Sequence, residues 1–209
     1  MNRDFAAHLD ALFACRACPN VVGQPVTGFA ENARVMLVGQ APGPREQDFG
    51  RPFAYTAGKR LFQWFSEHLG IDEDEFRRRV WIGATIRCFP GRDAKAGGDR
   101  VPDASEIANC AVHLDREVRL LRPELIIAVG TLASKTLLGI AELKDAVGRV
   151  HRLERAGHAC DVIVLPHPSG RSTWTNKPEN KALLEKSLRL IKDRMRRIGN
   201  DEALRRLGA

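Results

Sequence analysis

The chain has no apolar run approaching the ~20 residues that carry a helix across a bilayer, which argues against a helical membrane protein. Its opening residues, MNRDFAAHLDALFACRAC, hold no long apolar stretch and carry an acid by position 4, so they do not read as a secretory leader. No internal repeat and no break in composition marks a second domain. No G-x-G-x-x-G fingerprint is present. The glycine-rich loop after the first strand-like run reads GQAPG instead, and its Pro42 removes an amide donor that a phosphate cradle would use. These absences leave a cytoplasmic protein of one domain, expected to occupy residues 1–200 with a frayed tail at 201–209. A length of 209 residues is enough to bury one large core.

What is present is ordinary globular composition, 44% hydrophobic and 28% charged, with 33 Lys and Arg against 26 Asp and Glu. The net charge of +7 favours a polyanionic partner only mildly. Much of the surplus falls after Lys177, where the solvated face of an amphipathic helix accounts for it. Short apolar runs at 34–39, 80–86, 125–130 and 161–166 read as buried strands. Helices are expected over 2–14, 57–70, 131–139 and 177–197, with a short one opened by Asp72. Another is capped by Asp103 or Ser105 and runs to about 121. Residues 89–103, rich in Gly, Asp and Pro, read as a loop. Strands alternating with helices imply an α/β fold, a three-layer α/β/α sandwich on a central, mainly parallel four-stranded sheet. In such folds ligands bind beyond the carboxyl ends of the strands. The GQAPG loop, Cys88 and the segment HPSGRS at 167–172 each follow a strand-like run, so they are expected to gather at one sheet edge.

Four cysteines are spaced as ligands of one centre. Cys15 and Cys18 form a C-x-x-C pair, and Cys88 and Cys110 come from distant segments that the fold can bring in. Four thiolates suit a 4Fe–4S cluster, and a tetrahedral zinc site is the alternative. A thioredoxin-like redox pair is discounted, because such a motif opens a helix after a strand whereas this one ends a helix. Cys160 is left over and reads as a buried thiol.

Taken together and in order, the motifs resemble the uracil-DNA glycosylase superfamily, iron–sulfur type. Family four typically carries GEAPG, an acidic stretch and GRPF; this chain has GQAPGPREQDFGRPF. That family has an early C-x-x-C, a third cysteine after the second strand and a fourth behind P-x-x-x-E-I-x-x-C, matched here from Pro102 to Cys110. It closes on H-P-[SA], matched by His167, Pro168 and Ser169. The resemblance runs from about residue 9 to 192. It implies an enzyme that flips a deaminated base out of DNA and hydrolyses its N-glycosidic bond in base excision repair, acting as a monomer on DNA containing damaged bases.

The resemblance also implies roles. Phe53 would stack under the base, and His167, set between two prolines, would donate to the base oxygen that gathers charge. Gly39, Gln40, Ala41 and Ala84 would line the base site. Glu46 is the candidate for positioning water, with Asp48 in reserve and Gln40 able to orient but not to act as a base. The plain alternative for either acid is a solvated loop carboxylate. Gly43, Ser169 and Arg171 would meet the DNA backbone, with Arg171 or Trp174 as the wedge that fills the gap left by the base. Arg92, Lys95 and Arg100, from the loop between Cys88 and Cys110, would grip phosphate.

Three departures matter. Ala84 stands where family four has an Asn that reads uracil, Ala41 stands where the best-known family has an Asp, and Gly43 stands where that family has a tyrosine that excludes the thymine methyl. Family five shares the missing Asn. A pocket without these groups is expected to accept xanthine, hypoxanthine or ethenocytosine beside uracil. The loop at 89–103 has no histidine, so no covalent trapping of the abasic sugar is expected. A non-catalytic binder of damaged or abasic DNA on the same fold is the competing reading.

Overall fold

A computed structural model describes residues 3–95, 97–170 and 172–207, with side chains through residue 199. Its strands are β1 (Val35–Gly39), β2 (Val80–Ala84), β3 (Arg92–Asp93), β4 (Gly98–Asp99), β5 (Leu125–Val129), β6 (Val150–Arg155) and β7 (His158–Leu165). Its helices are α1 (Arg3–Ala14), α2 (Glu46–Phe49), α3 (Thr56–Leu69), α4 (Glu73–Arg79), α5 (Ala104–Leu121), α6 (Thr131–Leu138), α7 (Leu143–Ala146) and α8 (Pro178–Leu207). The central sheet has the order β2-β1-β5-β7-β6. The first four of these strands are parallel, with Val35 level with Val80 on one side and Leu125 on the other, and Leu125 level with Asp161. Every residue of β1, β2 and β5 is buried. Strands covered on both faces have no solvent side to alternate with, which is why they read as unbroken apolar runs.

The sheet has five strands, not four. β6 pairs antiparallel with β7 through a two-residue turn, Ala156 and Gly157, both at positive φ (52° and 74°). That is the turn geometry whose twist suits a tight hairpin. An alanine in the first position conceals the usual Asn-Gly or Asp-Gly signal. Only Leu153 of β6 is fully buried, so the strand lacks an apolar run to announce it. β7 accordingly starts three residues before the apolar stretch at 161.

Helices cover both faces. Phe5 and Leu9 of α1, Leu114 and Val118 of α5, and Ala133 and Leu137 of α6 pack with Met36, Trp81, Ile126 and Val162 of the sheet. On the other face Leu61 and Phe65 of α3, Phe76 of α4, and Leu188 and Ile191 of α8 pack with Leu37, Ile82, Ile127 and Ile163. Asp72 caps α4 by accepting from the Glu75 amide. Asp103, rather than Ser105, caps α5 in a reciprocal box with Glu106, while Ser105 donates to Asp103 at 2.7 Å. Within the loop at 89–103 the structure forms a two-stranded ribbon of β3 and β4. α8 continues as helix to Leu207.

β1 lies at the topological switch of the sheet, since the chain leaves it for β2 on one side and later builds β5, β7 and β6 on the other. Loops diverging from such a point open a crevice.

Candidate active site

A cavity of about 140 Å³ occupies that crevice. Gly39, Gln40, Ala41, Gly43, Glu46, Phe53, Ala84 and His167 all line it, although they come from four separate segments of the chain. The GQAPG loop is pinned to the end of β2: the Thr85 amide and hydroxyl donate to the Gly39 carbonyl at 2.8 and 3.1 Å, and the Ile86 amide donates to the Gln40 carbonyl at 3.2 Å. Gln40 is thereby fixed through its backbone. Val26 and Asp99 also line the cavity, and no sequence motif had pointed to either.

Phe53 has φ of +53°, in the left-handed region that a bulky residue enters only at a cost of about 1–2 kcal/mol. Such strain persists where surrounding contacts over-determine it, and it concentrates at functional positions. Three contacts hold it here. Arg77 Nη2 donates to the Phe53 carbonyl at 3.2 Å. The ring lies on Gly39, where a Cβ would stand 3.0 Å from its Cζ. The Phe53 carbonyl presses on Gly58 of α3, where a Cβ would stand only 1.7 Å from that oxygen. Both glycines are therefore required by close approach.

His167 follows β7 and packs beside Gly130 at the end of β5. The Ser169 amide donates to its Nδ1 at 3.2 Å, so Nδ1 carries a lone pair and the proton of the neutral ring sits on Nε2. Burial holds the imidazole below its ordinary pKa, against a smaller opposite pull from Asp99. The result is a neutral ring offering one N–H donor.

Glu46 opens α2 and reaches back, its Oε2 accepting from the Gly43 amide at 3.2 Å. Burial pushes its carboxyl up to about 7, with the amides of Gly43, Phe53 and Ala54 and the Arg77 charge acting against that rise. It therefore joins the two walls of the cavity and titrates near neutrality. Asp48 does not belong to this set. Two residues further along a helix its side chain turns to another face, and it is exposed and outside the cavity lining.

The residues expected on DNA divide. Ser169 supports His167 through its backbone. Arg92 and Lys95 are exposed on the ribbon. Arg100 is not free to grip phosphate: it donates to the Pro90 carbonyl at 2.9 Å and forks onto Glu106 at 2.9 and 2.6 Å. It serves the α5 cap instead. Trp174 packs partly buried against the core, and its carbonyl accepts from Asn180 at 2.8 Å, so it is no wedge. Arg171 lies outside the described residues.

The four cysteines converge. Val22 and Val26 hydrogen-bond alongside Phe89 and Arg87, which lays the segment after Cys18 against the chain leaving β2. Asn109 of α5 donates to the Ala17 carbonyl at 3.1 Å and lies 3.8 Å from Cys18 Sγ. The Cys88 thiol is pushed up to about 12, first by burial and then by Cys110, Cys15 and Cys18, which places these three near it. Among the described residues no three such ligands stand close enough to grip a single ion. Cys160 is apart in the core, 1% exposed.

A second buried group went unnoticed in the sequence. Arg87 donates to both oxygens of Glu117, which also pairs with His8 at 3.4 Å, and all three side chains are fully buried. Burial pushes the Glu117 carboxyl up, yet Arg87 and His8 prevail and hold it below the usual range. The group ties α1, the end of β2 and α5, the three segments that bear the converging cysteines. The available signal was the spacing of Glu106, Cys110, His113 and Glu117, which puts four polar residues on the buried stripe of α5.

Comparison with known proteins agrees with this arrangement. The model of the uracil DNA glycosylase superfamily matches residues 26–192. A type-4 uracil-DNA glycosylase of Sulfurisphaera tokodaii is 26% identical over 88% of this chain and 81% of that protein. One from Pyrobaculum aerophilum is 29% identical over 75% and 76% respectively. A type-5 uracil-DNA glycosylase of Pyrobaculum aerophilum is 25% identical over 85% and 88%. With a family match spanning most of its length and the motif residues gathered around one cavity, the chain belongs to the uracil DNA glycosylase superfamily.

Proposed function

We propose that the protein is a monofunctional DNA glycosylase that hydrolyses the N-glycosidic bond of a deaminated base flipped into the strand-end cavity, leaving an abasic site for base excision repair. The observation that carries this reading is the His167 ring, held neutral by burial and given its tautomer by the Ser169 amide. Cleavage leaves the electron pair on the departing base, and an N–H donor fixed beforehand at that charge lowers the barrier without reorganisation. A neutral donor also keeps its proton, so the base leaves as an anion and takes a proton from solvent. Phe53 supplies the face on which the base stacks, its strained backbone fixed by Arg77, Gly39 and Gly58. Glu46 holds the attacking water and receives its proton, a role served by a carboxyl that titrates near the working pH.

Ala84 leaves the inner edge of the base unread by any side chain, which supports a substrate range of uracil, xanthine, hypoxanthine and ethenocytosine. A pocket that forms fewer hydrogen bonds to its ligand rejects fewer analogues. Gly43, with Arg92 and Lys95 on the ribbon, meets the backbone of DNA containing damaged bases. Cys15, Cys18, Cys88 and Cys110 would hold a 4Fe–4S cluster. Their donor set is all thiol, which suits an iron–sulfur cluster, with a tetrahedral zinc site as the alternative. When bound, such a cluster would cross-link three segments through iron–thiolate bonds. Residues 1–200 are the working domain in this reading, acting as a cytoplasmic monomer. Among the described residues no helix is long and apolar enough to cross a membrane.

The test is base release from duplexes carrying uracil, xanthine, hypoxanthine or ethenocytosine, with His167→Ala beside the unaltered protein. Release from several substrates, falling by about 10²–10³-fold in the variant as for loss of one oxyanion donor, is expected. Binding to abasic DNA with no release from any duplex would refute the enzyme and leave a binding protein.

A further inference from the structure

The cavity has a floor and a mouth that differ in chemistry. Gly83 and Ala84 form a buried, apolar floor, whereas Gly43 and the exposed Asp99 stand at the mouth. Asp99 ends β4 of the ribbon, just before Pro102, where the motif leading to Cys110 begins. Its Oδ2 lies 3.9 Å from the point a Cβ on Gly43 would occupy, and its charge is felt at His167. Among the described residues its carboxylate is in no ion pair, although Arg92 stands opposite it in the register of the ribbon. Its backbone is nevertheless firmly held. The next residue, Arg100, is bonded through its amide to the Gly91 carbonyl at 2.9 Å and through its guanidinium to Pro90 and Glu106.

A base that enters such a cavity goes to the floor, which leaves its deoxyribose at the mouth. There the developing positive charge on the sugar needs a counter-charge, as in glycoside hydrolysis, and Ala41 offers only a methyl group. An acid at the mouth also repels phosphate, so it weakens DNA binding unless it does something once the reaction begins.

Resting on the glycosylase reading above, we propose that Asp99 is a catalytic carboxylate that faces the deoxyribose and stabilises its oxocarbenium-like transition state. The bond between C1′ and the base nitrogen breaks with its electron pair going to the base. Water oxygen then bonds to C1′, its proton passes to Glu46, and Asp99 takes no part in the proton transfer. Asp99 and Glu46 thereby divide the work between charge stabilisation and proton acceptance.

The experiment measures single-turnover uracil release and duplex affinity for Asp99→Asn and Asp99→Glu, with circular dichroism to verify the fold. The neutral isostere should slow release by roughly 10–100-fold while binding uracil-containing duplex as tightly as the unaltered protein or tighter, and Asp99→Glu should recover part of the rate. Release by Asp99→Asn within twofold of the unaltered protein overturns the proposal. So does a change confined to affinity and its salt dependence, which would make Asp99 a steering charge. An unaltered protein that releases no base from any duplex would instead refute the glycosylase reading on which this one rests.

Discussion

Replacing Gly58 by alanine separates catalysis from stability in an unusual way. Gly58 is buried in the first turns of α3 and has no positive φ to preserve. Alanine there favours the helix by about 1 kcal/mol. The added methyl would stand 1.7 Å from the Phe53 carbonyl, whereas ordinary contact begins near 3.4 Å, so the Phe53 loop must retreat by about 1.7 Å. A loop is softer than a helix packed on the sheet, and the retreat also stretches the 3.2 Å bond from Arg77. Overpacking costs about 1–3 kcal/mol, partly offset by the helix gain, so the melting temperature should move by only a few degrees. Catalysis is less tolerant: misplacement by ~1 Å of a group that positions the substrate costs about 10²-fold. Gly58→Ala should therefore lose at least roughly 10²-fold in single-turnover base release while melting as one folded unit. The assay is release from a uracil duplex under enzyme excess, alongside thermal unfolding by circular dichroism. Full activity in a folded Gly58→Ala protein would show that the placement of Phe53 does not govern the reaction.

Further outcomes follow from other contacts. Because burial raises the Glu46 carboxyl to about 7, release should fall as pH drops through neutrality, and Glu46→Gln should flatten that limb; an unchanged profile would remove Glu46 from the proton transfer. The same raised pKa means that the folded state binds this proton more tightly than the unfolded chain. Its contribution to stability is therefore present at acid pH and lost as pH rises from about 4.5 to about 7, measurable by urea unfolding at pH 5 and 8 in the two proteins. Glu117→Ala leaves Arg87 buried without a partner and should cost about 3–5 kcal/mol in denaturant unfolding; a loss under 1 kcal/mol would mean that water reaches the site. Cys88→Ser and Cys110→Ser should lose iron and sulfide by chemical analysis, while Cys160→Ser keeps both, and equal retention in all three would discard the cluster.

The sequence by itself determined the layered fold and the identity of the chemistry. Four apolar runs of strand length separated by amphipathic helices admit little besides a parallel sheet covered on both faces, and strand ends converge wherever that sheet forms. The GQAPG loop, Cys88 and HPSGRS are therefore expected at one sheet edge from the strand pattern alone, and of these the GQAPG loop and His167 meet at the cavity while Cys88 does not line it. Local rules reached as far as the Asp72 cap and narrowed the cap of α5 to Asp103 or Ser105, because a cap is decided within four residues. What only the tertiary structure decided depends on contacts between distant segments. β6 is a strand because β7 offers it an edge, not because its own residues demand one. Arg100 is a clamp rather than a phosphate ligand because Glu106 lies beside it once α5 is capped. Glu46 lines the cavity and Asp48 lies on the surface through a difference in helix phase. The burial of Arg87, Glu117 and His8 arises from three helices and strands meeting, and the arrival of Asp99 at the cavity mouth follows from a ribbon too short for periodicity to signal. In each case the deciding free energy is a desolvation or a close contact between residues far apart in sequence, which no local pattern encodes.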